Sequence, residues 1–154
     1  MQFKLSALLL SLAAVASATP TRRVSCAEAS RFGNLEVVPS SVAVGGSFTV
    51  HADFTCSLYF GIVPEYIDYY IEVTSNNNGH EPPILLARRE FHQSTGTPPT
   101  DTFSASIPDA YYFANASYQV VLDVTYPSNG TTGAPFYQVG STETGINITG
   151  IASS

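Results

Sequence analysis

The chain has no tryptophan, one methionine and two cysteines in 154 residues, and only 12% of its residues carry a charge. Two cysteines cannot build a disulfide-dense miniature scaffold, so the fold depends on an apolar core. Lysine occurs once, at Lys4, and the other five cations are arginines. Against twelve acidic residues that leaves no basic footprint for nucleic acid and no basic amphipathic segment for a membrane surface. There is no GxSxG to mark a nucleophile elbow and no CxxC to mark a redox pair. No apolar run reaches the roughly 20 residues that cross a bilayer as a helix. After the first residues no stripe of helical period runs far enough to predict a helix.

What is present begins with a leader. Lys4 precedes the apolar run "LSALLLSLAAV" (Leu5 to Val15), and "ASA" at Ala16 to Ala18 supplies the small residues a signal peptidase reads. Residues 1–18 therefore read as a signal peptide and the product as secreted, with no membrane anchor. Residues 19–34 form an N-terminal segment in which Arg22-Arg23 offers a dibasic pair for processing. Residues 35–151 read as a single β domain. Without the leader, five arginines face twelve acidic residues, a net charge of −7. Three sequons fit an extracellular glycoprotein: Asn115 in "NAS", Asn129 in "NGT" and Asn147 in "NIT". Of these, "PSNGTTG" places Asn129 in the clearest turn. In an oxidising compartment Cys26 and Cys56 are expected to pair. Closing a loop of 30 residues would contribute about 3–4 kcal/mol in the chain-entropy account.

Period two dominates the rest. Phe48, Val50, Ala52 and Phe54 alternate with Thr49, His51, Asp53 and Thr55. Ile67, Tyr69, Ile71 and Val73 alternate with Tyr66, Asp68, Tyr70 and Glu72. Phe103, Ala105 and Ile107 oppose Thr102, Ser104 and Ser106, and Tyr118, Val120, Leu122 and Val124 oppose Gln119, Val121 and Asp123. These are half-buried strands. Shorter ones are expected at Leu35–Val38, Ile84–Arg88, Pro135–Val139 and Gly145–Ile148. Turn signals such as "SNNNGHEPP" and "PSNGTTGAP" separate them. The pattern predicts an all-β antiparallel sandwich of about seven strands, with a closed barrel as the weaker alternative.

Two stretches carry a family resemblance. "VVPSSVAVGGSFTVHADF" resembles the opening of immunoglobulin-like (fibronectin-III-like) extracellular domains: a Pro-Ser turn, a short edge strand, Gly-Gly, then an alternating strand. "FSASIPDAYYFANASYQVVLDVTY" resembles their late strands, with Tyr118 where a tyrosine corner would stand. The pairing of the two is similar to fungal Ser/Thr-rich cell-wall domains related to the β-1,6-glucan assembly proteins, over roughly Leu35 to Ile148. The chain departs from them in lacking a tryptophan near Asp53–Phe54, a Ser/Thr-rich stalk and a hydrophobic tail. The resemblance implies a secreted or wall-associated protein and transfers no catalytic residue.

Three kinds of chemistry remain. A metal centre needs three or four converging ligands; His51 and Asp53 form an HxD on one strand face, but His80 and His92 fall in loops, so no metal and no cofactor is expected. Glycoside hydrolysis needs paired carboxylates. Glu65, Asp68 and Glu72 lie close in sequence, yet Asp68 and Glu72 are roughly 13 Å apart along a strand, leaving only a cross-strand partner such as Asp53 or Asp123. No enzyme is expected. The third is a sugar platform: Tyr66 and Tyr70 project with Asp68 and Glu72, rings for C–H faces and carboxylates for hydroxyls. Tyrosines paired across an exposed sheet give the same pattern with no ligand at all. Tyr111 and Tyr112 add rings in a loop that a glycan on Asn115 would crowd. The expected function is a non-catalytic secreted module of the surface or cell wall that either binds glycan, such as cell-wall polysaccharide, or simply forms part of the matrix. The alternatives are a secreted effector-like protein with an extracellular protein partner and, behind it, a small carboxylate-dependent hydrolase.

Overall fold

The computed structural model describes residues 25–77, 79–93 and 97–151. The expected signal peptide and the Arg22-Arg23 pair lie outside the described residues. A 3-10 turn, Glu28–Ser30, leads into β1 (Asn34–Val38), β2 (Ser41–Ala43) and β3 (Ser47–Asp53). A short helix α1 (Thr55–Tyr59) follows, then β4 (Tyr66–Val73), β5 (Ile84–Glu90) and β6 (Thr100–Ser106). The chain ends in β7 (Tyr118–Asn129), β8 (Pro135–Gly145) and β9 (Asn147–Thr149). The class is all-β. One sheet has the order β1-β3-β6, a second the order β5-β4-β7-β8, and both are antiparallel throughout. A third pairing, β2 with β9, is parallel.

Alternation decides which faces meet. Phe48, Val50 and Ala52 of β3 are buried together with Ile67, Tyr69 and Ile71 of β4 and Val120, Leu122 and Val124 of β7 in one core. The inner faces of the two larger sheets thus supply a common apolar interior, as period two requires. β4 is a middle strand, flanked by β5 and β7, as its fully alternating sequence leads one to expect. Tyr69 sits at its centre with no exposed surface. Its ring stands edge-on to Phe103 of the other sheet, with centroids 4.8 Å apart. Its hydroxyl donates to Asp101 at 3.1 Å, and Arg89 of β5 donates to the same carboxylate at 2.7 Å. Burial, then the Asp101 charge, push the Tyr69 phenol well above its ordinary range, so it stays a donor. This trio joins β5 to β6 where each is the edge of its sheet.

Three expectations need correction. The stretch after β3 is a helix, α1, where none was expected. Its five residues are too few for helical period to show. It starts where the Asp53 carboxylate accepts the Thr55 N–H at 2.8 Å and is followed by Gly61 at φ +75°, a left-handed conformation that suits glycine. Second, β8 does not stop at Val139 but runs on to Gly145, with the short β9 after it. Gly140 breaks the pattern in sequence, yet in space the Phe32 ring fills its place: a Cβ there would meet ring atoms at 2.1–2.4 Å. Third, Asn129 is the last residue of β7, not part of the turn, although it is exposed.

The expected disulfide is present. Cys26 and Cys56 are bonded, with Cα atoms 5.4 Å apart, tying the segment before β1 to α1.

Candidate functional site

The outer face of the four-stranded sheet carries all four side chains singled out in "YIDYYIEV". Strand register arranges it in rows. Glu90, Tyr66, Thr125 and Val139 form the first, and Arg88, Asp68, Asp123 and Ser141 the second. Tyr70, Val121 and Glu143 form a third, beside a β-bulge where β4 meets β5, and Glu72 and Gln119 lie in the fourth.

The second row is internally satisfied. Arg88 grips Asp68 with two of its three guanidinium nitrogens, Nε on Oδ1 at 2.7 Å and Nη2 on Oδ2 at 2.8 Å. This fork-to-fork geometry is the strong form of the pair. Asp68 points outward as alternation demands, yet the arginine laid across it leaves it 8% exposed. The Tyr70 hydroxyl reaches the same carboxylate at a long 3.4 Å. Burial, then the Asp68 charge, raise the Tyr70 phenol above its usual range. Asp123, directly across from Asp68, accepts from the Ser141 hydroxyl. Like charges facing each other across a strand pair repel; Arg88 and Ser141 offset that here. Glu72 has no such help. Burial, then the charges of Asp123 and Glu143, hold its carboxyl above the usual range.

The first row is different. Tyr66 is 41% exposed and Val139 62%. Tyr137, opposite Pro127 one row further along the β7–β8 hairpin, is 59% exposed. Its hydroxyl bonds the Glu65 carboxylate, which raises the phenol above its usual range. Val63 is exposed as well. A shallow recess of about 420 Å³ adjoins, lined by Val63, Glu65, Tyr66, Glu90, Phe91 and Pro127 among others. The candidate set is therefore split: Asp68 and Tyr70 belong to a closed charge cluster, Glu72 to its acidic margin, and Tyr66 alone to an open aromatic patch. Tyr137, which the sequence did not single out, completes that patch. Its one signal was that "PFYQV" continues the alternation.

The other chemistry-bearing residues do not converge. His51 Nδ1 lies 3.2 Å from the Thr102 hydroxyl, while Asp53 is occupied at the start of α1, so the HxD pattern divides between two local tasks. His92 lies 3.8 Å from Glu90. Among the described residues no three His, Cys, Asp or Glu side chains are placed to hold a metal ion. Asn115, Asn129 and Asn147 are all exposed; the Asn147 amide donates to Ser41 at 2.9 Å.

The sequence also missed a cavity at the opposite end of β4. It measures about 470 Å³ and lies between residues around Asn77 and Glu81 on one side and the loop before β7 on the other. Tyr118 joins the two walls. Its hydroxyl accepts the Phe113 N–H at 2.8 Å and donates to Glu81 at 2.7 Å. Nearby Tyr112 donates to the Pro108 carbonyl at 3.0 Å.

No protein-family model matches this chain, and no curated protein matches it in sequence.

Proposed function

We propose that the protein is a non-catalytic secreted glycoprotein, an immunoglobulin-like β-sandwich of the cell surface or wall, that binds polysaccharide on the outer face of its four-stranded sheet. The observation that carries the reading is the open patch of Tyr66, Tyr137 and Val139 beside the carboxylates of Glu65 and Glu90. Ring faces take the C–H edges of a pyranose, and carboxylates at the rim accept its hydroxyls.

The fold assignment rests on strand order. β1, β3 and β6 follow the order of strands A, B and E, and β5, β4, β7 and β8 that of C′, C, F and G. Tyr118 opens the F-like strand and accepts a backbone N–H five residues upstream, the position of a tyrosine corner. The disulfide departs from the immunoglobulin pattern by joining the N-terminal segment to α1, and Tyr69 is the fully buried aromatic of β4. The Cys26–Cys56 bond suits an oxidising compartment. Among the described residues no helix is long and apolar enough to cross a membrane. A non-catalytic role is favoured because the facing carboxylates of the second row are held by Arg88 and Ser141 on an open sheet, not in a cleft.

Pull-down by insoluble β-glucan tests the reading. The parent protein should sediment with the polymer, a Tyr66→Ala/Tyr137→Ala variant should stay in solution, and Tyr70→Ala should still sediment. A parent protein that ignores the polymer, or a double variant that still binds, would overturn it. The second reading, a protein partner, draws on Val63 and Val139, which offer the patch apolar area and no hydrogen bonds.

A further inference from the structure

We propose that the cavity beside Glu81 is the seat of the chain's own sugar, the first N-acetylglucosamine of a glycan on Asn115. The inference rests on the secreted-glycoprotein reading and adds a binding site to it.

The sequence "FANAS" puts an aromatic ring two residues before a sequon asparagine. In the structure both residues, Phe113 and Asn115, line the same cavity, opposite Asn77, His80 and Glu81. Phe113 is 44% exposed, whereas Tyr112, its neighbour, and Tyr118, at the start of β7, are buried. Its ring meets Tyr111 edge-on, with centroids 5.0 Å apart, and lines a cavity of about 470 Å³, within the roughly 300–1,000 Å³ of small-ligand sites.

The walls are built before any sugar arrives. Asn77 and Glu81 are bonded to each other, Asn77 donating from Nδ2 to the Glu81 carbonyl at 2.6 Å and accepting the Glu81 N–H on Oδ1 at 2.9 Å. Tyr118 fixes the Glu81 carboxylate and the Phe113 backbone to each other. Burial, then the Glu81 hydrogen bond, raise the Tyr118 phenol far above its usual range, so the hydroxyl keeps the proton it donates. Each carboxylate oxygen retains a lone pair beyond the one Tyr118 uses. A pyranose over the Phe113 ring would find those acceptors for its hydroxyls, and the His80 ring and Ser75 as further polar partners on the same wall.

The covalent tether selects this occupant over a free ligand. A sugar attached at the rim meets the cavity at the high effective concentration of an intramolecular partner. Once seated, it bridges the loop before β7 to the turn after β4. A ligand that binds only the folded form stabilises it, so the glycan should raise the melting temperature, and the ring should be required for the effect.

The test expresses the full chain, leader included, in a eukaryotic secretory host. Parent, Ser117→Ala, Phe113→Ala, the pair combined, and Phe113→Tyr are compared by glycopeptide mass, melting temperature and enzymatic release of each glycan from native protein. Ser117→Ala removes the sequon while keeping Asn115. Asn115 should be occupied, and Ser117→Ala should lower the melting temperature by about 4 °C with Phe113 or Tyr present, and leave it unchanged when position 113 is Ala. Release at Asn115 should be about tenfold slower than at Asn129 until the protein is denatured, the ratio that about 1.4 kcal/mol of docking gives. Asn115 bare while Asn129 carries sugar would overturn this inference alone, as would an equal effect of Ser117→Ala with and without the ring. A secreted product bare at all three sequons would overturn both the inference and the glycoprotein reading.

Discussion

Tyr66 and Tyr70 stand four residues apart on one strand face and meet different neighbours. Tyr70 faces the Arg88–Asp68 pair and is half-buried. Tyr66 stands at the end of the strand, in line with Thr125 and Val139, with its ring open. What separates them is the charge twenty residues downstream: Arg88 reaches Asp68 and leaves Tyr66 alone. Glu72 shows the same face from its acidic side. Its carboxyl is raised by burial, then by Asp123 and Glu143, so the folded state holds this proton where the unfolded chain has released it. The stability this group contributes is then full below the ordinary glutamate pKa and is lost as pH rises through the raised value. Glu72→Gln should therefore raise the melting temperature at about pH 7 and leave it nearly unchanged at about pH 4. Thermal unfolding at the two pH values checks this, and equal shifts at both would contradict it.

At the scale of the element, β4 shows how much a strand can say for itself. Ile67, Tyr69 and Ile71 are buried and their alternates face outward, because a one-residue slip would bury two carboxylates and expose the apolar set. Truncating Ile71 to Ala should cost about 2–5 kcal/mol through lost burial and a cavity. Tyr66→Ala should stay within about 0.5 kcal/mol, as at other open surface positions. Urea unfolding of the two variants compares them, and a larger loss for Tyr66→Ala would reverse the face assignment. The faces of β3, β4 and β7 were legible because each alternates over at least seven residues. β8 was legible only to Val139, since Gly140 offers no side chain and its apolar cover, Phe32, comes from more than a hundred residues away. The candidate site was half legible for the same reason. Period two gave the direction of Tyr66, Asp68, Tyr70 and Glu72, but Arg88 over Asp68 and Tyr137 beside Tyr66 are matters of register between strands. The Glu81 cavity depends on two loops held together by one tyrosine hydroxyl, and no local pattern encodes that meeting.

For the whole molecule, the two larger sheets share one core, and the disulfide fastens the N-terminal segment to α1 at its side. Arg89, Asp101 and Tyr69 bridge the edge strands β5 and β6. On the outer face of the four-stranded sheet Asp68 is paired with Arg88, Glu72 and Glu143 form an acidic margin, and Tyr66, Tyr137 and Val139 are exposed at one end. The polysaccharide reading places the ligand at that end and nowhere else. The most direct measurement is a titration of isotope-labelled protein with a soluble β-glucan oligosaccharide, following backbone amide resonances. The resonances of Tyr66, Tyr137, Val139 and Glu65 should move together and saturate, while those of β1, β3 and β6 stay fixed. A ligand that moves only the residues around Glu81 and Phe113, or none at all, would contradict the assignment of function to the outer face.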